Sequence, residues 1–155
     1  LGGLRQHGGL ALHAGKPLAN LGSAVGQGGG GCGKRRRLIF ELAGARIERA
    51  GLAIERMELA NVTPAQAAAN YAEHEGKPFY DGLISYITSG PVVKMIVSGE
   101  GAVKKMRTLM GATNPADAAP GTIRGDFGLI MDENVIHGSD SVESAEREMK
   151  IFFSE

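Results

Sequence analysis

At 155 residues the chain is long enough for one domain with a real hydrophobic core. Its 17 basic and 17 acidic residues cancel, which removes the global field that would draw nucleic acid or an anionic membrane. A single cysteine, Cys32, excludes an intrachain disulfide and a thiolate zinc cage, and no apolar run reaches the ~18 residues that span a bilayer. This usage fits a reducing, cytoplasmic compartment.

Composition shifts along the chain. No Asp or Glu precedes Glu41, and residues 1–33 hold 12 of the 24 glycines. So much glycine carries a large ordering entropy and supplies few side chains to bury. Residues 1–37 therefore read as a separate, flexible and basic segment, with one short strand near Leu10-Ala11-Leu12. Gly28 to Lys34 matches the opening of a G-x-x-x-x-G-K phosphate loop. Arg35, however, stands where the Mg²⁺-binding hydroxyl belongs, and no apolar strand leads in. Lys34-Arg35-Arg36-Arg37 then reads as a solvated basic run.

Residues 38–155 carry the pattern of a folded domain. Leu38, Leu42 and Ile47 share an apolar helical face, and Gly51 is the natural stop. Leu52 to Val62 alternates loosely as a strand, with Ile54, Met57 and Leu59 as its apolar members. Thr63-Pro64-Ala65-Gln66 starts a helix through a capping box; that helix carries Tyr71 and ends near Gly76. Phe79 to Ser89 predicts a short helix, and Pro91 to Val97 a central strand, because nearly every position is apolar. Ala102 to Met110 is a helix closed by Gly111, and Ala112 to Gly121 a Pro-, Asn- and Asp-rich loop long enough to suggest function. Leu129 to Ile136 reads as the last strand. Asp140 and Glu143 are spaced as the capping box of a helix from Ser141 towards Phe153. With one strand added in front, the order is that of an α/β (α+β) fold, a ferredoxin-like βαββαβ sandwich on a four-stranded antiparallel sheet. The first strand is its weakest element, since it falls in the glycine-rich segment.

The last strand delivers His137 into a Gly138-Ser139-Asp140 turn. An imidazole near its ordinary pKa is largely neutral at pH 7, which suits a nucleophile or proton carrier, although a lone histidine there serves equally as a structural residue. The surrounding text decides more. Asn114-Pro115-Ala116-Asp117, Pro120-Gly121-Thr122-Ile123-Arg124-Gly125-Asp126-Phe127 and Asn134-Val135-Ile136-His137-Gly138-Ser139-Asp140-Ser141 closely resemble nucleoside diphosphate kinase, and the resemblance runs from roughly Glu41 to the C-terminus.

That resemblance implies transfer of the γ-phosphate of ATP or another nucleoside triphosphate to a nucleoside diphosphate, by a ping-pong route through phospho-His137. It implies that Arg107, Thr113 and Arg124 contact phosphate, that Phe79 stacks on the base, and that Asn134 contacts the sugar. Tyr71, Ser139 and Glu148 would orient or support the histidine. Guanidinium forks suit phosphate oxygens, and stacking ignores base hydrogen-bond patterns, so purines and pyrimidines should both be accepted. Mg²⁺ would be held by nucleotide phosphates rather than by protein ligands, and a homo-hexamer or homo-tetramer is expected, with the Pro115 loop at subunit contacts.

The family's Lys-Pro-Asp-Gly turn, whose lysine contacts the γ-phosphate and sugar, has no match in this chain. Lys16-Pro17 is the nearest substitute, with Leu18 in place of the aspartate. Two readings therefore stand beside the kinase: a homologue that binds nucleotide or assembles without turnover, and a protein whose Lys34–Arg37 arm binds polyanions. Asp126-Phe127-Gly128 spells the magnesium motif of protein kinases without its partner motifs, and the four histidines show no metal-ligand spacing.

Overall fold

The computed structural model describes residues 6–13 and 41–153. Lys16, the Gly28–Lys34 loop, the Lys34–Arg37 run and the predicted helix start at Leu38 lie outside them.

Four strands form one antiparallel sheet in the order β2-β3-β1-β4, the ferredoxin-like arrangement that the pattern predicts. Strand β1 spans Gln6–His13, well beyond the expected Leu10–Leu12, and it is central. It pairs with β3 (Pro91–Gly99) on one side and with β4 (Ile136–Gly138) on the other. The expected short strand thus extends to Gln6–His13, held by ladder bonds to β3 along its length and to β4 at Leu10–Leu12, and those need only backbone. Strand β2 (Ala53–Asn61) lies at the opposite edge, with a register irregularity between Ile54 and Arg56.

Helices cover both faces. Helix α1 (41–49) and α4 (Ala102–Met110) pack Ala43, Ile47, Met106 and Met110 against Val93, Met95, Val97 and Ile136. On the other face, α2 (Pro64–Asn70), α3 (Tyr80–Ile87) and α6 (Val142–Phe153) gather Ala67, Ile87 and Phe152 around Val92. This two-sided cover is why no position of β3 is exposed.

The helix ends show their causes. Gly51, at φ +75°, closes α1: its N–H reaches the Glu48 carbonyl at 2.9 Å and the Leu52 N–H reaches that of Ile47 at 3.3 Å. Thr63 caps α2 reciprocally with Gln66, at 3.2 and 3.1 Å. Three predicted elements change. Helix α2 stops at Asn70 and a 3₁₀ turn, Ala72–His74, follows. Leu129 to Ile136 is no continuous strand: Met131–Glu133 is a 3₁₀ turn, Val135 has φ +60°, and only Ile136–Gly138 pairs. Helix α6 is capped by Ser141 rather than Asp140, with the Ser144 N–H 3.0 Å from Ser141 Oγ and the Ala145 N–H 3.0 Å from its carbonyl. A short helix that periodicity does not reveal, α5 (Ile123–Phe127), is started by Thr122, whose hydroxyl accepts the Gly125 N–H at 3.1 Å. No helix among the described residues is long and apolar enough to cross a membrane.

A Cβ on Gly125 would lie 2.1 Å from the Ala119 carbonyl oxygen, a backbone atom that cannot swing aside. Gly125→Ala is expected to lower unfolding stability by about 3 kcal/mol, at the upper end of overpacking costs, as read by chemical denaturation.

Candidate active site

His137 stands in the middle of β4, on the face that α2 and α6 cover. Its Nε2 lies 3.0 Å from Glu148 Oε2, and Ser139 Oγ donates to that same oxygen at 2.8 Å. A carboxylate oxygen only accepts, so the network assigns the proton to Nε2 and leaves Nδ1 with the free lone pair. Glu148 and Ser139 are buried, whereas His137 is half-buried. The Tyr71 ring meets the imidazole edge-to-face, centroids 5.6 Å apart. Burial first, and then the charge of Glu148, raise the Tyr71 phenol above its ordinary pKa, which keeps its hydroxyl protonated.

The backbone that presents His137 is strained. Val135, a β-branched residue, sits at φ +60°, and the Ile136 N–H closes back on the Asn134 carbonyl at 2.8 Å. Such a tight turn costs on the order of 1–3 kcal/mol and persists only where the surroundings impose it.

His137 and Glu148 line a cleft of about 440 Å³, shared with Tyr71, Phe79, Arg107, Thr113, Arg124 and Asn134. All the sequence-predicted site residues thus come together, except Ser139, which is buried behind Glu148, and Lys16, which lies outside the described residues. Arg124 is buried on α5, donating to the carbonyls of Gly111 at 2.9 Å and Ile136 at 2.7 Å, while its Nε finds no partner among the described residues. Desolvation, and then the neighbouring Arg107, press its pKa down to about 10, so it remains cationic at neutral pH. Among the described residues neither arginine forms a salt bridge. Phe79 stays 48% exposed, with Lys77 Nζ 5.9 Å from its centroid, and Asn134 Nδ2 reaches the Thr113 carbonyl at 3.4 Å.

The cleft also contains residues that the sequence does not single out. His74 lies 5.5 Å from the Phe79 ring and receives Lys77 Nζ at 2.9 Å on Nδ1, and Met131 lines the mouth at 56% exposure. The 3₁₀ turn that places His74 has no periodic signature; an apolar Met131 left out of any core is the one hint that sequence offers for the other.

Comparison with known proteins agrees with this geometry. Residues 35–155 match the family model described as "Nucleoside diphosphate kinase". The chain belongs to the nucleoside diphosphate kinase family. A nucleoside diphosphate kinase of Archaeoglobus fulgidus is 56% identical over 123 residues, covering 79% of this chain and 81% of the relative. One from Thermus thermophilus is 52% identical over 121 residues, covering 78% and 88%. Among solved structures, the nucleoside diphosphate kinase of Halobacterium salinarum in complex with CDP superposes with a TM-score of 0.79 at 38% identity, covering 97% of this chain and 88% of that one. The apo enzyme of Encephalitozoon cuniculi does so equally well, at 30% identity and 97% and 90% coverage. The sequence matches begin only after the glycine-rich segment, while the structural ones extend over almost the whole chain.

Glu148→Gln keeps the shape of the side chain but can present an N–H to His137 in place of an acceptor. It is expected to slow phosphorylation of His137 by about 10- to 100-fold with the fold intact, measured in single turnover with γ-labelled ATP.

Proposed function

We propose that this chain moves the γ-phosphoryl group of a nucleoside triphosphate to a nucleoside diphosphate through phospho-His137. The observation that carries the reading is the pairing of His137 with buried Glu148 in a cleft where, among the described residues, Arg107 and Arg124 form no salt bridge. The Nδ1 lone pair attacks the γ-phosphorus; an N–P bond forms as the P–O bond to the departing diphosphate breaks. In the second half a bound diphosphate takes the phosphoryl group back and Nδ1 recovers its lone pair, which makes the kinetics ping-pong. Glu148 holds the Nε2 proton throughout and balances the charge that the ring gains. Arg124 and Arg107 face charge spreading over the phosphoryl oxygens, and the strained Val135 turn helps to fix the ring.

Phe79 offers its exposed face to a base of either class, and Asn134 and Thr113 lie together for the sugar and phosphate. Mg²⁺ brought in by the nucleotide would be held by the nucleotide's phosphates rather than by protein ligands, and would offset their negative charge. With γ-labelled ATP and Mg²⁺ the protein should acquire an acid-labile, base-stable label that added GDP discharges and His137→Ala abolishes. A folded protein that binds nucleotide without label would favour a non-catalytic binding subunit instead.

The reading extends to assembly as a homo-hexamer or homo-tetramer. Edge strand β2 presents Met57 and Leu59 at 50% and 68% exposure, with Leu42 of α1 at 39%. An unpaired edge bearing exposed apolar side chains is a surface for a second copy. Leu59→Asp is expected to lower the solution mass by at least one assembly step in light scattering.

A further inference from the structure

The face of the sheet that carries His137 also holds a buried lysine, Lys94. In the strand registers Glu58 pairs with Lys94, Lys94 with Ala11, and Ala11 with His137. One row therefore crosses all four strands, and residues paired directly across antiparallel strands share a face. Helix α6 packs over this row, turning Ala145, Glu148 and Phe152 inward. Glu148 and Phe152 are one helical turn apart, and each is tied to the row below. Glu148 meets His137 at 3.0 Å, while Lys94 Nζ donates to the Phe152 carbonyl at 2.6 Å.

Lys94 is only 7% exposed, and its ammonium also meets Glu58 Oε2 at 3.2 Å and the Phe153 ring at 4.9 Å. The Phe152 carbonyl belongs to the last turn of α6, where carbonyls lack intrahelical partners and the helix dipole favours a cation. Lys94 does not line the nucleotide cleft, so it is no ligand. The end of α6 has a further tie, Gln66 Nε2 to the Ile151 carbonyl at 3.1 Å, which can hold the helix in place overall when Lys94 is changed.

We propose that Lys94 is a positioning residue for the nucleophile: by fixing the last turn of α6 on the sheet row, it sets how closely Glu148 approaches His137. The proposal rests on the phosphotransfer reading of His137. Loss of the Lys94 anchor lets α6 slide or tilt, and the Glu148 carboxylate, one turn away, loses its alignment on Nε2. The imidazole then exchanges tautomers, and less of it presents a free Nδ1.

Lys94→Met replaces the ammonium by an apolar chain of similar length. It is expected to slow single-turnover labelling of His137 by about tenfold while nucleotide affinity stays within twofold of the parent. The His137 ring ¹⁵N resonances should move from a single Nε2–H tautomer towards a mixture, which a loss of stability alone would not produce in folded protein. In a Glu148→Gln background Lys94→Met should add no further loss, because the lysine acts through that carboxylate. Lys94→Arg, which can still donate to the carbonyl, should restore most of the rate. Lys94→Gln, with a shorter donor, serves if the methionine variant does not fold, and should fall between methionine and parent. An unchanged tautomer signal in a folded variant, or a tenfold loss that persists on top of Glu148→Gln, would overturn the proposal. If γ-labelled ATP leaves the parent itself unlabelled, the phosphotransfer reading fails, and the tautomer comparison still decides the role of Lys94.

Discussion

Two donors converge on one buried oxygen, and the cleft is arranged around that meeting. Glu148 Oε2 accepts from both His137 and Ser139, in a residue that is 5% exposed. A carboxylate so far from water is tolerable only with its donors in place, so neither the imidazole nor the hydroxyl can turn away cheaply. The requirement binds α6 to the end of β4, and it dictates which nitrogen of His137 is left free. The short strand β4 can meet it because β1 sets its register, pairing Ala11 with His137.

The same cleft holds Arg124 without a salt bridge among the described residues. Arg124 spends two donors on carbonyls, which hold its plane without neutralising it. Burial and Arg107 both act against its charge, and under the proposed reading a polyphosphate bound there would offset both. Val135 is a second unfavourable feature of this region, held at positive φ two residues before His137. Stability is given up locally at the cleft, and the two apolar cores on either side of the sheet supply it elsewhere.

Most of the fold is visible in the sequence wherever local chemistry is strong. The Thr63–Gln66 box, the Gly51 stop, the Ala102–Met110 helix and the apolar run of β3 all stand where their residues put them. The failures have one cause in common. Leu129 to Met131 are β-formers by composition, yet no neighbouring strand pairs with them and they remain exposed. Gly8 and Gly9 are poor strand residues, yet β1 forms through them because β3 pairs along its length and β4 along part of its other edge. At the α6 cap Asp140 and Ser141 are both suitable, and the turn that leaves β4 selects the serine.

By itself the sequence determined the family and most of the element order beyond Glu41, and it singled out His137 as the candidate nucleophile, because motif text and short-range capping are local properties of the chain. It also named the residues around His137, but only as a set. The tertiary structure decided how that set works: which oxygen of Glu148 is shared, that Ser139 stands behind the cleft, that His74 and Met131 enter it, and that Lys94 shares a sheet row with His137. These are relations between strands and helices distant in sequence, settled by register and helix docking, for which no single segment carries the information.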